Sequence, residues 1–342
     1  MLCIFCLEDR PSTLEHVFPL AIGGTITTDR VCGDCNSILG TRVDGALSDF
    51  FPIRMRRARL GLAGNSGTPP MWYELLEGES SVIGQAASRV RVSFSEATGG
   101  LDTRQLYHAA DVESPDGSKF RQITLDARDI DQIPKIIQRE RKRRGLPPLR
   151  DEELAIAAAN YTVKVVEKPV IAHPINVSFE YLRHALIKIA YELSFIWFGE
   201  AYLTDPIAVE LRKAICDADP ASTDNIPCYV GDVGNCVPFK FWIPHENHHL
   251  AYANIARDQK VVLCVRIFDI FAAAVTVSHE PGRYFSQAAD RKKLRFIAMD
   301  SLTGRTIDTS FDEESRRLAR ERCAKGAAPP FLDPLVSPTG SG

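Results

Sequence analysis

The chain has 342 residues, 45% of them apolar and 25% charged, with a net charge of −3. This is the composition of a globular protein of two or three domains. It excludes a global basic field, so a polyanionic partner would have to be attracted by local patches.

The first fifty residues carry the densest pattern. Cys3-Ile-Phe-Cys6 and Cys32-Gly-Asp-Cys35 are two Cys-x2-Cys knuckles, separated by the 25 residues 7–31. Four thiolates at this spacing suit one tetrahedral Zn²⁺, because each tight turn offers two sulfurs and the ion joins turns distant in sequence. The segment between them is longer than the roughly 15–20 residues of a plain zinc ribbon, which implies that something is housed there. It contains Glu15-His16-Val-Phe-Pro19 and Gly23-Gly24, and Asn36 follows the last cysteine directly. Thr13–Phe18 reads as a strand ended by Pro19, and the glycine pair reads as a turning loop. A helix is expected from Asp34, with Ile38, Leu39, Val43 and Leu47 along one face, weakened by Gly40 and Gly45 and limited by Pro52.

Arg54, Arg56, Arg57 and Arg59 come next. They suit phosphate contact beside a site in the preceding unit, or equally a solvated helix face. Gly61–Pro70 reads as a linker, and Met71–Asp131 as β-rich, with Arg89–Phe94 alternating most clearly. Ile130–Arg144 turns helical and basic (Lys135, Arg139, Arg141, Lys142, Arg143, Arg144), a run that is more often a solvated helix end than a nucleic-acid contact. Tyr161–Val170 reads as a strand. Phe179–Leu203 reads as a long helix whose apolar stripe runs from Leu182 to Trp197, with Arg183, Lys188, Glu192 and Glu200 mostly off the stripe. A second helix is expected over Pro206–Ala214. An antiparallel meander follows over Phe239–Ile243, Leu250–Ile255, Val261–Phe268 and Phe271–Ser278, then a basic helix over Arg316–Lys325 and a frayed end.

The expected fold class is therefore α+β: a small N-terminal metal-bracketed ββα module at 1–53, a basic helix, linker and β-rich region at 54–170, an α+β region at 171–328 with antiparallel sheet and a long central helix, and a tail at 329–342. The five other cysteines show no paired spacing, which argues against a disulfide framework and for a reducing, cytoplasmic setting. No export signal is visible. The apolar runs Ala185–Leu203 and Val261–Val277 are interrupted by charges, so no membrane span is expected. His245-Glu246-Asn247-His248-His249 does not match the helical His-Glu-x-x-His spacing, and a loop leading into a strand accounts for it more simply.

Cleaving a phosphodiester requires an activated water, neutralised charge on the phosphorane-like transition state and a stabilised leaving oxygen. His16 can supply the base, since an imidazole is largely neutral near pH 7. A hard divalent cation such as Mg²⁺ or Mn²⁺ supplies the rest when held by oxygen donors, and Glu15 and the Asn36 side chain are donors of that type. The zinc knuckles tie the start of the Glu15-His16 strand to the start of the Asn36 helix.

At these residues the chain resembles the HNH endonuclease family in its Cys-x2-Cys-bracketed form. The resemblance rests on Cys3, Cys6, Cys32 and Cys35, on Glu15-His16 with Pro19, on Gly23-Gly24 and on Asn36, and covers about fifty residues. It implies a ββα-metal fold with structural Zn²⁺, His16 as general base, Glu15 and Asn36 on a catalytic Mg²⁺ or Mn²⁺, and DNA as substrate. It departs from the family pattern in carrying Glu15 where many members have Asp. The middle Asn of the family name has no counterpart either, Thr28 or Asp29 standing in that region. A catalytically inactive, zinc-structured nucleic-acid-binding module is the alternative that the second departure permits, and a zinc-stapled interaction domain is a third. The C-terminal region is expected to select substrate or to receive a regulatory partner or ligand. A double-strand break would call for a homodimer or two successive events.

Overall fold

In the computed structural model the described residues are 1–84, 88–166, 169–175, 177–233, 246–256, 258–285 and 294–324. The chain divides into two compact units, one made of Met1–Pro70 together with the described part of Val177–Gly342, the other of Met71–Asn176. The N-terminal module and the C-terminal region thus share one unit.

The module opens with strand β1 (Ser12–His16), paired antiparallel with β2 (Thr27–Cys32). The register shifts between Thr13 and Glu15, which takes Leu14 out of the ladder. From Gly33 the chain is helical almost without a break: α1 (Gly33–Leu39), a π-helical turn (Gly40–Asp44) and α2 (Gly45–Asp49). In a plain α-helix Asp44 would be turned about 80° away from Asn36, eight residues earlier. A π turn takes up about one extra residue, which brings Asp44 back towards the face of Asn36. Phe50 ends this run, and α3 (Phe51–Leu60) starts with Pro52 in its first turn, where a missing N–H costs nothing.

In the second unit β3 (Gly78–Val82), β4 (Arg89–Ser95), β5 (Gly100–Gln105) and β8 (Ile171–Ala172) form a sheet of order β5-β4-β3-β8, and β6 (His108–Glu113) pairs with β7 (Lys119–Thr124). The helices are α4 (Ile133–Arg143) and α5 (Asp151–Ala159). The strand expected over Tyr161–Val170 is not formed by residues 161–166, since Val163 and Val165 stay exposed with no strand to pair with. On α4, Arg139 lies over the Tyr107 ring, Arg141 donates to the Pro147 carbonyl and Arg143 reaches the buried Glu140, while Lys135 and Lys142 remain exposed.

The first unit resumes with α6 (Phe179–Phe198) and α7 (Pro206–Cys216). Gly199, at φ +76, ends α6. A six-stranded antiparallel sheet follows, of order β14-β13-β10-β11-β12-β9, built from β9 (Cys228–Asp232), β10 (His248–Ile255), β11 (Val261–Ile267), β12 (Phe271–Ser278), β13 (Arg295–Asp300) and β14 (Thr306–Ser310). Helix α8 (Phe311–Ala324) is the last described element. The strand expected at Phe239–Ile243, His245, Cys236, Lys325 and the expected tail lie outside the described residues. Among the described residues no helix is long and apolar enough to cross a membrane.

One apolar core runs through this unit, from Ile4, Val17, Phe18 and Leu47 in the module through α6 and α7 to the sheet. Helix α6 is its axis. It is buried on nearly every face from Leu182 to Phe195, so that Lys188 and Glu192, which fall off the apolar stripe, are nevertheless fully buried. The sheet also holds the module's loop in place. His249 Nε2–H donates to the Ile22 carbonyl at 2.8 Å, and Thr25 N–H donates to Met299 Sδ at 3.1 Å.

Candidate active site

The four knuckle cysteines converge. Their Sγ atoms all lie within 4.8 Å of one another, Cys6 and Cys32 being 3.9 Å apart. Burial alone would raise the Cys3 thiol, but backbone N–H groups, first that of Cys32, bring it down to about 7. Cys6 and Cys35 are held up by burial and then by the neighbouring sulfurs. A divalent cation reverses that penalty, since thiolates crowded this closely are stable only around a positive charge. The donor set and its closed geometry fit a structural Zn²⁺. Among the described residues Cys216 is exposed, Cys228 half-buried and Cys264 buried.

The ion would join the Cys3–Cys6 turn to the β2–α1 junction, next to a cavity of about 620 Å³. Its wall brings together Glu15, His16, Asn36, Asp44 and Arg57. The Asn36 amide has one consistent orientation. The Leu14 carbonyl, freed from the ladder by the register shift, can only accept a hydrogen bond, and it takes one from Nδ2 at 3.0 Å. Nδ2 also donates to Thr13 Oγ1 at 3.1 Å, whose own proton goes to the Val31 carbonyl. Both amide protons are therefore used, and Oδ1 remains as an acceptor. Thr13 orients the Asn36 amide and gave no signal in the sequence, since the contact depends on a bulge.

His16 is half-buried at the end of β1 and lines the same cavity. Among the described residues no group hydrogen-bonds to its imidazole. Thr27 stands opposite His16 and Thr28 opposite Glu15, and the Thr28 hydroxyl accepts from the Arg30 amide. Neither threonine takes the place of the middle Asn.

Glu15 is buried rather than a surface carboxylate, and its Oε1 accepts from Lys188 Nζ at 2.5 Å. The same ammonium reaches both oxygens of Asp44, at 2.9 and 2.8 Å, and lies 3.6 Å from Glu192. Burial alone would lower Lys188, but Asp44, Glu192 and Glu15 together raise it, so it stays charged. Burial pushes Asp44 up to about 6 against the pull of Lys188, and pushes Glu192 well above the ordinary carboxylate range. A signal for this cluster does exist in the sequence. A helix apolar all round is a buried helix, and charges inside it need partners.

The four arginines part company. Arg56 is turned inward, bonded to the Glu246 carbonyl at 2.7 Å, paired with Asp269 at 2.6 Å and set over the Phe268 ring. These contacts remove it from the expected phosphate-binding set. Arg57 is buried in the cavity wall, where Nη1 donates to the Ser48 carbonyl at 3.1 Å and the buried Nε has no partner among the described residues. Arg59 is exposed and reaches Glu246 at 2.9 Å, and Arg54 is half-buried. The described part of the histidine cluster is structural. His249 is fully buried against Phe18 and Phe268, and Nδ1 accepts from the Phe268 amide.

Residues 3–52 match the model of the HNH endonuclease family. The match spans both knuckles, the Glu15-His16 strand and Asn36, so the N-terminal part of the chain is an HNH module with a four-cysteine, zinc-type cluster. No curated protein and no solved structure matches the chain.

Proposed function

We propose that the protein is a metal-dependent endonuclease that hydrolyses phosphodiester bonds of DNA. One observation carries the reading: the Asn36 amide spends both protons on Leu14 and Thr13, which leaves Oδ1 as a ligand atom in the cavity that also holds Glu15 and His16. Bound there by Glu15 and Asn36, Mg²⁺ or Mn²⁺ would act as Lewis acid towards the phosphoryl and leaving oxygens. His16 takes a proton from water as the water oxygen bonds to phosphorus, and the bond to the leaving oxygen breaks. Arg57, in the wall of the same cavity, would bring its guanidinium charge to a non-bridging phosphate oxygen there. Arg59 and Arg54 would add backbone contacts along the duplex.

The test is cleavage of supercoiled plasmid by metal-stripped protein. Nicked or linear product is expected on adding Mg²⁺ or Mn²⁺, none in excess chelator, and loss of product in Asn36→Ala. Absence of cleavage with every divalent cation, alongside salt-sensitive DNA binding, would establish instead the second reading, a zinc-structured nucleic-acid-binding module without catalysis. The unsupported imidazole of His16 is the observation that favours that reading.

A further inference from the structure

We infer that Lys188 is a positioning residue of the cleavage site, its ammonium holding the Glu15 and Asp44 carboxylates at the wall of the cavity from a helix far outside the HNH module. The inference rests on the metal-dependent reading given above. Glu15 and Asp44 line the cavity, whereas Lys188 has no exposed surface, so the ammonium stands behind the two carboxylates and not in the path of a substrate. The two acids come from separate elements, the end of β1 and the π-helical turn, and no backbone bond joins them. A lysine has three donors in one compact head, and here Glu15 Oε1 and both Asp44 oxygens take them.

Glu192, one turn further along α6, lies 3.6 Å from the ammonium and takes no hydrogen bond from it, so every hydrogen bond that Lys188 makes is directed at the two cavity-lining acids. This leaves Glu15 with one oxygen pinned and Oε2 not held by the ammonium, the division required of a metal ligand supported from behind. Tyr191, three residues on, donates to the Ile4 carbonyl at 2.6 Å, so the same helix face also steadies the first zinc knuckle. The HNH module is thereby completed by residues nearly two hundred positions away.

The experiment is Mn²⁺ binding to the full chain at neutral pH, followed by electron paramagnetic resonance and calorimetry, without DNA. Lys188→Met is expected to weaken Mn²⁺ binding by about tenfold or more, the usual effect of losing a partner that orients a ligand. Removing a charge that served only as a neighbouring cation would have the opposite sign, since less repulsion tightens binding. Unchanged or tighter binding by folded Lys188→Met therefore overturns the inference. Should circular dichroism show that variant unfolded, Lys188→Arg carries the test. It keeps the charge but replaces the compact head with a planar fork, and is expected to weaken Mn²⁺ binding in the same direction. Wild-type affinity in Lys188→Arg would then overturn the inference. A wild-type protein that takes up no Mn²⁺ overturns both the inference and the metal-dependent reading, whereas wild-type uptake equalled by the variant overturns the inference alone.

Discussion

Replacing Gly24 with alanine tests how tightly the Glu15-His16 strand is held to its turn. A Cβ at position 24 would lie 1.7 Å from the Phe18 carbonyl oxygen and 2.5 Å from its carbonyl carbon. Non-bonded heavy atoms need roughly 3.5 Å, so one of the two backbones must retreat by about 1.5–2 Å. Neither is free to do so. Gly24 N–H is bonded to the Pro19 carbonyl at 3.2 Å, Gly23 is at φ +83 against Ser301, and the Phe18 side chain is buried. Overpacking of this kind costs about 1–3 kcal/mol. Phe18 is two residues from His16, and a displacement of about 1 Å at a reacting group costs on the order of 10²-fold in rate. Urea unfolding followed by circular dichroism, with metal-dependent plasmid cleavage on the same samples, reads both effects. A variant with the wild-type midpoint and cleavage rate would refute the reasoning. Gly45→Ala is the contrast: its backbone is helical and its Cβ would meet the Gly40 carbonyl at 3.5 Å, an ordinary contact, so a gain of up to about 1 kcal/mol is expected.

Three further outcomes follow from the same geometry. Cys35→Ser should lower the zinc content below one per chain and reduce the melting temperature, because the ion links the first turn to the start of α1; a variant retaining one zinc and wild-type melting would contradict this. Burial drives His249 down to about 4, so between about 6.5 and 4 the unfolded chain binds the extra proton and stability falls as pH falls, by about 3 kcal/mol in all. Urea midpoints across that range should show the slope and His249→Gln should flatten it; the same slope in both would sink the assignment. Arg57→Ala should weaken DNA binding and reduce the salt slope by about one, whereas Arg56→Ala should lower stability with little change in that slope. Fluorescence anisotropy over a salt series distinguishes the two.

Much of the module was legible because its signals are local. Two cysteine pairs, an acid–His–x–x–Pro segment and a glycine pair each demand a turn or a ligand within a few residues, and the contacts they predict fall within the first fifty positions. What was not legible depends on distance or on small departures from regular geometry. Glu15 read as a metal ligand, and its partner Lys188 is 173 positions away. Asp44 lies two turns beyond Asn36 in the sequence, where an Asp on a helix is more often solvated, and it is the π turn that brings it back to the Asn36 face. Residues 161–166 had the composition of a strand but lack a neighbour to pair with, whereas β13 and β14 were passed over although Met299 on β13 supports Thr25. Helix α5 gave no periodic signal, its Leu-Ala-Ile-Ala-Ala-Ala run being apolar on every side and largely uncovered.

The central claim is that His16 removes the proton from the attacking water. Its most direct test is the single-turnover rate of plasmid cleavage by His16→Ala in saturating Mn²⁺, with zinc content, melting temperature and Mn²⁺ affinity measured on the same preparation. A fall of about 10²–10⁴-fold in rate with the other three unchanged is the predicted result. A rate equal to that of the wild type would contradict it.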